Sequence, residues 1–403
     1  LLEVSVYGAP AAQARAATAA VLARFDALHR TLHAWQPSEL SRRRRPRAFP
    51  ASARWPARYR CSGCPGRPRS RMKSLRPALW LLLLWALAAC SPPPLHQQQS
   101  YVFGTLLEVS VYGAPAAQAR AATAAVLARF DALHRTLHAW QPSELSRLNT
   151  ALAKGERAPV TPELAAMLRD AQALSIRSDD LFNPAIGGLI ALWGFHADTP
   201  QSRVPDAAAI ARWVSKRPRI ADLVIGNGAV SSANPAVQLD LGGYAKGRAL
   251  DDAAAILKAH GIANALVNIG GNVIALGAHG DRPWRVGIQH PRRPGTLAAL
   301  DLRDGEAIGT SGDYQRYFEV AGRRYSHLID PRSGRPASGM QSVTILVGGK
   351  GAGTRSDALS KPLFIDGAER LTDNASRLGV ADYLAVDASG QIHVSPAMQA
   401  RLR

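Results

Sequence analysis

Apolar and polar positions follow two different periods from residue 101 to the end of the chain. Residues 105–113 carry the Leu and Val content and the apolar alternation of a strand, whereas 114–138 repeat Ala and Leu at helical spacing. The same period and the start signals of helices predict further helices over 161–178, 205–215, 245–259 and 356–375. Strands are predicted over 236–241, at several places within 262–347, and over the pair 383–387 and 391–395.

These strands and helices occur in blocks, with frequent Gly turns between the strands of 262–347. Such an order predicts the α+β class, with mixed or antiparallel sheets flanked by helices, rather than a doubly wound parallel sheet. The composition, 47% hydrophobic and 20% charged, excludes a disordered or fibrous protein. About 300 residues suffice for one sizeable core, so we expect a single folded domain over 101–403.

The first third of the chain departs from this pattern because it contains a perfect internal repeat. Residues 1–42 recur letter for letter at 106–147, whereas tandem domains that serve a function drift in sequence. Residues 43–71 are rich in Arg and Pro and show no helical or strand period. They can be a basic nucleic-acid arm with half of a zinc site, or translated non-coding DNA. A single Cys-x-x-Cys pair is a weak signal, and we expect 1–71 to be a spurious N-terminal extension.

A targeting segment follows at 72–89. Lys73 and Arg76 give it a positive start, and the thirteen-residue apolar run after them is too short for a transmembrane helix, which needs about 20 residues. The run ends in Leu-Ala-Ala-Cys, typical of a bacterial lipoprotein signal, although an ordinary signal peptide or a buried helix would also fit. On the first interpretation Cys90 becomes the lipidated first residue of the mature protein. The polar, Pro-rich residues 90–100 then form a semi-rigid tether.

The formal charge of +19 comes mostly from the N-terminal segments. Residues 43–71 contain ten Arg and no acidic residue, whereas 90–403 carry 33 Lys or Arg against 27 Asp or Glu. Because the folded part has no strong excess of basic residues, we expect no nucleic-acid partner. With Cys61, Cys64 and Cys90 outside it, the folded part contains no cysteine and can form no disulfide.

Four segments interrupt the apolar periodicity with glycines and polar groups: 182–188 with 192–195, 239–247 with 268–272, 310–314 with 325–331, and 356–361. Gly242 and Gly243, between a predicted strand and helix, can present backbone amides to phosphate, although Gly-Gly is also ordinary turn chemistry. His327 can be a base or a structural hydrogen-bonding residue. Asp357 can be a ligand of Mg²⁺ or simply a favourable charge at a helix start.

In this order and spacing, the segments closely resemble the bacterial FAD:protein FMN transferases, the ApbE family. The most specific runs are Asp-Leu-Gly-Gly-x-Ala-Lys-Gly at 240–247, Val-Asn-Ile-Gly-Gly at 267–271, Thr-Ser-Gly-Asp-Tyr at 310–314, and Ser-His-x-Ile-Asp-Pro-x-Ser-Gly-x-Pro at 326–336. The resemblance covers essentially 101–403, and the lipoprotein signal agrees with it. It implies an enzyme that splits the pyrophosphate of FAD with Mg²⁺, transfers FMN to a Thr or Ser of a redox protein and releases AMP.

The resemblance also implies roles for individual residues. His327 matches the histidine that deprotonates the acceptor hydroxyl. The implied FAD contacts are Phe182, Asn183, Pro184, Asp240, Lys246 and Ile329. The implied metal ligands are the Gly243 carbonyl and the Asp357 carboxylate, with Ser360 and Lys361 in the same segment. The chemistry agrees, because an alcohol nucleophile needs a base and a diphosphate leaving group needs its charge neutralised.

Two positions depart from the family pattern. The family usually has Asp where this chain has Asn183, which removes a charge near the flavin. It commonly has Thr, which also binds Mg²⁺, four residues after the metal-binding Asp, and here that position is Lys361. An ammonium cannot ligate a cation but can neutralise a phosphate, and a solvated surface lysine is the other interpretation. The Mg²⁺ requirement, or the number of ions, is therefore open at this point.

We therefore expect a flavin transferase on the periplasmic side of a bacterial membrane, held by a lipid anchor at Cys90. Its expected partners are FAD and acceptor redox proteins of membrane oxidoreductase complexes. One alternative is an Mg²⁺-dependent FAD pyrophosphatase that yields FMN and AMP, and another is a flavin-binding lipoprotein without turnover. His327 argues against the pure binder, because flavin binding needs no base.

Overall fold

The structure, a computed structural model, describes residues 93–197 and 202–403. The predictions made for 1–71, for the signal segment and for Cys90 lie outside the described residues and stay predictions. Within the described ranges, no helix is both long enough and apolar enough to span a bilayer.

Helices and strands occur in blocks along the described chain. The strands are β1 Leu95–Val102, β2 Thr105–Tyr112, β3 Ala158–Pro159, β4 Leu223–Gly226, β5 Ala229–Ser232, β6 Ala265–Ile269, β7 Asn272–Leu276, β8 Trp284–Gln289, β9 Thr296–Leu302, β10 Ala307–Gly312, β11 Tyr317–Val320, β12 Arg323–Ser326, β13 Ile329–Asp330, β14 Arg335–Pro336, β15 Met340–Val347, β16 Asp382–Asp387 and β17 Ile392–Val394. The helices are α1 Ala116–Leu137, α2 Glu144–Ala153, α3 Pro162–Arg177, α4 Gly187–Leu192, α5 Ala207–Ser215, α6 Gly242–Ala259, α7 Ala352–Asp366, α8 Leu371–Arg377 and α9 Pro396–Gln399. Short 3₁₀ helices lie at Ile220–Asp222 and Ala368–Arg370.

An eight-stranded sheet, in the order β1-β2-β6-β7-β10-β15-β16-β17, forms the centre of the domain. All its neighbouring strands are antiparallel, which confirms the α+β class with antiparallel sheets and flanking helices. Both faces are covered, so β7 is buried along its whole length. Successive residues point to opposite faces: Ile274 and Leu276 join the core with α1, α6 and α7, while Val273 and Ala275 join the core with β8, β9 and α9.

Helices α6 and α7 pack against each other on one face of the sheet. α7 contacts β7, β10 and β15, and α6 contacts β6, β7 and α1. The Asp251 carboxylate of α6 accepts the N–H groups of Gly353 and Thr354, each at 2.8 Å, and the Thr354 hydroxyl at 2.6 Å. It therefore caps the first turn of α7 from the neighbouring helix, which sets the level of α7 along α6.

A third apolar cluster ties the β11–β12 hairpin to α4 and to the residues that follow it. Trp193 stacks with Tyr325 at 5.5 Å and with Phe318 at 6.4 Å between ring centroids, and Phe195 lies 5.6 Å from Phe318. Trp193 Nε1 also donates to the Gly334 carbonyl at 2.8 Å. The end of β12 is thereby held beside the segment that follows α4.

Most of the predicted elements are confirmed. They are 105–113 as β2, 114–138 as α1, 161–178 as α3, 205–215 as α5, 245–259 within α6, and 383–387 with 391–395 as β16 and β17. The run of strands predicted within 262–347 is β6 to β15.

Two predicted elements are wrong. Residues 236–241 form no strand, and only Gln238 makes an isolated bridge, to Ile186, because the backbone there bonds to an irregular loop. The helix predicted over 356–375 is two helices, α7 and α8, separated by Gly367. The φ of Gly367, 79°, lies outside the helical region and is readily adopted by glycine.

The predicted tether over 90–100 is wrong from residue 95 onward. Leu95–Val102 is a strand paired with β2 along its whole length. Its Gln residues suggested a linker, but they are the exposed side chains of an edge strand, where polar residues limit pairing with other chains. Within the described residues the first element is therefore β1, and the predicted domain start at 101 falls inside it.

Candidate active site

The first two motif segments lie against each other through backbone hydrogen bonds. The Asp240 N–H donates to the Pro184 carbonyl at 2.8 Å, and the Gln238 N–H donates to the Ala185 carbonyl at 3.2 Å. The Gly187 N–H donates in return to the Gln238 carbonyl at 2.7 Å. A Cβ on Gly187 would lie 2.6 Å from that carbonyl oxygen, so the close approach of the two segments requires glycine.

Phe182, Asn183 and Pro184, the predicted flavin-site segment, are all buried. Phe182 belongs to the main core. The Asn183 amide donates to the Pro218 carbonyl at 2.9 Å and accepts the Ala185 N–H at 3.1 Å. Both ends of this amide are therefore engaged within the protein, and the three side chains support the loop from inside.

Asp240 lies where these two segments meet the start of α6. Its Oδ1 accepts the N–H of Gly242, the first residue of α6, at 2.7 Å, which satisfies one of the unpaired amides of the helix N-terminus. Burial raises the pKa of Asp240, and the Gly242 N–H and the charge of Arg316 partly offset that increase. Asp240 is thus a half-buried carboxylate beside the helix terminus, within electrostatic reach of Arg316.

Helices α6 and α7 touch along two rows of residues spaced four apart. The α6 row is Gly243, Gly247 and Asp251, and the α7 row that faces it is Lys361, Asp357 and Gly353. A Cβ on Gly247 would lie 2.4 Å from the Gly353 carbonyl oxygen and 2.7 Å from Asp357 Cβ. A Cβ on Gly243 would lie 2.6 Å from Lys361 Cε. The two glycines therefore let Asp357 and Lys361 lie directly against α6.

Asp357 and Lys361 form a buried ion pair within the α7 row. Lys361 Nζ lies 2.7 Å from Asp357 Oδ1 and 2.7 Å from the Asp357 carbonyl oxygen, and Asp357 Oδ2 accepts the Gly247 N–H at 2.9 Å. The two side chains are 3% and 15% exposed. Burial alone would raise the pKa of Asp357, but the charges of Lys361 and Lys246 hold it below its usual range. Burial lowers the pKa of Lys361, and Asp357 opposes that decrease.

Ser360 joins the fourth motif segment to the third. Its hydroxyl lies 2.8 Å from the Ser311 hydroxyl of β10 and donates to the Asp357 carbonyl at 2.9 Å. β10 can approach α7 closely because residue 309 is glycine. A Cβ at Gly309 would lie only 2.3 Å from the Ser356 carbonyl oxygen. The Ser360 hydroxyl therefore holds α7 against the sheet at the level of the ion pair.

His327 follows β12, and the Arg316 carbonyl fixes its ring. Both the backbone N–H and the ring Nδ1 of His327 lie 3.1 Å from that oxygen. Because a carbonyl only accepts, Nδ1 carries the proton and Nε2 keeps a lone pair. Desolvation, together with the charges of Arg316 and Lys246, lowers the pKa of His327 to about 3. The imidazole is therefore neutral near pH 7 and can accept a proton at Nε2.

Lys246 supplies an unpaired positive charge next to these groups. It is half-buried, and its charge acts on His327, Asp357 and Lys361. Lys246 forms no hydrogen bond or ion pair with the rest of residues 93–197 and 202–403. A partly desolvated ammonium without an internal partner suits an anionic ligand, and phosphate oxygens form strong charge-assisted hydrogen bonds with ammonium groups.

Arg316 is a site residue that no sequence motif indicated. It lies shortly after the Thr-Ser-Gly-Asp-Tyr run, its carbonyl orients His327, and its guanidinium donates to the carbonyls of Phe195 at 2.9 Å and Ala197 at 3.2 Å. Its charge acts on both Asp240 and His327. Its position between two motif runs was the only signal in the sequence.

Ile329 lies in the third apolar cluster rather than among the charged groups. It is 4% exposed and packs with Ile186 and Phe318 in that cluster. Phe195, from the same cluster, meets the His327 ring edge-on at 6.4 Å between centroids. The structure therefore brings together His327, the α7 ion pair and the two further cations, with an apolar wall beside the imidazole.

Comparison with known proteins identifies the family of the chain. The chain matches the model of the ApbE family over residues 103–384. The FAD:protein FMN transferase of Rhodobacter capsulatus is 45% identical, over 86% of this chain and 67% of that protein. The FAD:protein FMN transferase of Klebsiella pneumoniae strain 342 is 32% identical, over 70% of this chain and 82% of that protein.

The chain belongs to the ApbE family. Solved ApbE structures share its fold. The ApbE protein of Thermotoga maritima gives a TM-score of 0.71 at 30% identity, covering 77% of this chain and all of that one. The apo form of the flavinyl transferase ApbE of Pseudomonas stutzeri gives 0.68 at 30% identity, covering 77% and 98%. The resemblance drawn from the motif runs is therefore confirmed.

The ApbE resemblance implies Mg²⁺ at Asp357 and the Gly243 carbonyl, and the residues present do not fit that ion. Lys361 lies against Gly243 and pairs with Asp357 Oδ1, so an elementary positive charge already occupies the carboxylate oxygen that would bind the ion. A divalent ion about 4 Å from that ammonium would be repelled by on the order of 8 kcal/mol at an effective dielectric constant of 20. Nowhere in the described ranges do three or more His, Cys, Asp or Glu residues form a group that can hold a metal ion.

Proposed function

We propose that this ApbE protein transfers FMN from FAD to a Thr or Ser hydroxyl of a redox protein and releases AMP. One arrangement carries the proposal: a neutral His327, with Nε2 available, lies among the cations Lys246, Lys361 and Arg316. A base beside an anion-binding site suits phosphoryl transfer to an alcohol. The names of the curated relatives support the same activity.

In the proposed reaction, the acceptor oxygen attacks the phosphorus on the flavin side of the FAD diphosphate. His327 Nε2 takes the hydroxyl proton as the new O–P bond forms, and a positioned base of this kind contributes about 10²–10⁴-fold to the rate. The bond between that phosphorus and the bridging oxygen breaks, and AMP leaves with the bridging oxygen. The Arg316 carbonyl keeps the imidazole in the tautomer that this step needs.

The cations of the site orient the diphosphate and stabilise the charge that develops on it. Lys246 is available for this because it has no partner among the described residues. Arg316 already donates to two backbone carbonyls, so its charge acts from a fixed position. The Mg²⁺ dependence that the resemblance implies forms no step of this mechanism, because Lys361 is paired with Asp357 where the ion would bind.

The location of the enzyme is a second part of the proposal. A lipid anchor at Cys90 would hold it on the periplasmic face of a bacterial membrane, near acceptor redox subunits of membrane oxidoreductase complexes. The targeting segment over 72–89 supports this. Only four residues separate Cys90 from β1 at Leu95, so the five Cα–Cα steps between them span at most about 18 Å. Acyl labelling of the full chain and of Cys90→Ala tests the anchor, and label that persists in the variant would contradict it.

The function is tested with FAD and a Thr-containing acceptor domain, by intact mass of the acceptor and by chromatography of the nucleotides. We expect a covalent FMN adduct with an equal amount of AMP, and a loss of about 10²–10⁴-fold in rate with His327→Ala at unchanged FAD binding. Free FMN and AMP without an adduct would instead identify a pyrophosphatase. Bound but intact FAD would identify a flavin-binding protein without turnover.

A further inference from the structure

We infer that Lys361 is a built-in cation for the FAD diphosphate, and that Asp357 serves to hold this ammonium rather than a metal ion. The inference rests on the proposed function and deepens it, since it concerns how the same site binds its substrate. It predicts that FAD binds without any divalent cation, which separates this chain from the Mg²⁺ dependence implied by its resemblance to the ApbE family.

The position of Lys361 carries the first step of the argument. Its side chain crosses the first turn of α6, where a Cβ on Gly243 would lie 2.6 Å from Cε, 3.1 Å from Cδ and 3.7 Å from Nζ. The ammonium therefore lies beside both the first turn of α6 and the Asp357 carboxylate. A lysine that merely covered the surface would not be 85% buried against a helix, and the side chain of Lys361 is only 15% exposed.

The hydrogen bonds of Lys361 carry the second step. An ammonium has three N–H donors, and two acceptors, both on Asp357, lie 2.7 Å from Nζ. The third donor has no partner within the described parts of the chain. The opposite side of the Asp357 carboxylate is satisfied by the Gly247 N–H at 2.9 Å. The pair is thus held from the α6 side, and one donor stays available to a ligand.

The surrounding charges carry the third step. Lys246 has no partner in the described chain, and its charge acts on Lys361, Asp357 and His327. Two ammonium groups beside one carboxylate leave a net positive charge next to the proposed base. A diphosphate ester has oxygens that can accept from both ammonium groups at once, which is the substrate chemistry that the proposed function requires.

The test compares the parent protein with Lys361→Thr, which restores the residue that the resemblance implies, and with Lys361→Met, which removes the charge but keeps an unbranched side chain. Lys258→Thr is the matched control, because it makes the same change at an exposed lysine in the last turn of α6. FAD binding is measured by flavin fluorescence in EDTA and in Mn²⁺. Mn²⁺ binding is measured separately by electron paramagnetic resonance without FAD.

We expect the parent and Lys258→Thr to bind FAD equally in EDTA and in Mn²⁺, and to bind no Mn²⁺ at this site. Lys361→Met should lose about tenfold or more in FAD affinity in both media, as for the loss of one charge-assisted hydrogen bond. Lys361→Thr should show the same loss in EDTA, acquire a Mn²⁺ site and regain affinity with the metal.

A parent protein that needs Mn²⁺ to bind FAD, or a Lys361→Met variant with parental affinity in EDTA, would overturn the inference. The parent measurement alone can do so, even where a variant fails to fold. Transfer is scored on the same samples by the mass of the acceptor. Intact FAD binding without any adduct would therefore overturn the proposed function, whereas lost metal-independent binding overturns the role of Lys361.

Discussion

Two alanine substitutions on one face of α6 should have different effects, one on stability and the other on FAD binding, and they test the helix contact on which the site is built. Gly247→Ala places a Cβ 2.4 Å from the Gly353 carbonyl oxygen, 2.8 Å from its carbon and 2.7 Å from Asp357 Cβ. Gly243→Ala places a Cβ only against the side chain of Lys361. The first set of atoms can move only if the helices separate, whereas the second is the flexible part of a side chain.

The expected magnitudes follow from these contacts. Overpacking costs about 1–3 kcal/mol of stability. Because the contacts of Gly247→Ala with backbone atoms are below 3 Å, its overpacking cost should be about 3 kcal/mol. Alanine is more favourable than glycine in a helix interior by up to about 1 kcal/mol, which offsets part of this cost. The net loss of about 2 kcal/mol should lower the Tm by roughly 4–8 °C. Gly243→Ala should stay within about 2 °C of the parent, but the displaced ammonium should weaken FAD binding.

Differential scanning calorimetry gives the two Tm values, and FAD titration in EDTA gives the two affinities. Gly226→Ala is the control, because a Cβ there would meet nothing within 4 Å and its φ is not positive. A Gly247→Ala protein that melts with the parent would refute the close helix contact. Equal losses of Tm in Gly247→Ala and Gly243→Ala would refute the distinction between backbone and side-chain neighbours.

Further predictions concern three single residues of the site and its support. In the free protein, nitrogen-detected NMR should show His327 protonated at Nδ1 and still neutral at pH 5, because its folded pKa of about 3 lies below the ordinary 6.5; a midpoint near 6.5 would contradict this. Because this pKa is lowered in the folded protein, the unfolded chain binds the proton first as pH falls below about 6.5. The free energy of unfolding should therefore decrease with falling pH, and His327→Gln should reduce that loss in urea titrations. Asp251→Ala should lower the free energy of unfolding by about 1–2 kcal/mol, since it removes the cap of α7; an unchanged urea midpoint would count against the cap. Lys246→Met should change stability by no more than about 0.5 kcal/mol but weaken FAD binding, and parental affinity would remove Lys246 from the diphosphate site.

The elements that the sequence predicted correctly are those with a strong local period. α1 repeats its apolar residues at helical spacing over 22 residues, and its buried face follows that spacing. The prediction of a strand over 236–241 was wrong because a short apolar run does not specify its partner. The backbone of this segment bonds to the loop around Ala185 instead of to a strand. β1 was not predicted because an edge strand needs few apolar residues, so its sequence shows no apolar alternation.

In the site, too, residues in local sequence motifs could be predicted, whereas contacts between distant segments could not. His327, Asp240 and Lys246 lie in motif runs, so a family resemblance could indicate them. The facing rows of α6 and α7 could not be predicted, because Gly247 and Asp357 are 110 residues apart and meet only in the folded chain. Arg316 acts on His327 through its backbone carbonyl. Any residue supplies a carbonyl, and the side chain of Arg316 therefore gave no hint of this role.

The ion pair also explains how a chain of this family can carry lysine at a position where the resemblance implies a metal ligand. The Asp357 carboxylate is 3% exposed, and a buried carboxylate without a cation destabilises a protein by about 3–5 kcal/mol. A bound divalent ion or a lysine four residues later on the same helix can each meet that need. The lysine meets it in the folded chain at any metal concentration, but it brings one positive charge where the ion brings two. Lys246, which has no partner among the described residues, acts electrostatically on Asp357 and can supply the second charge, so the two lysines together match the charge of a divalent ion.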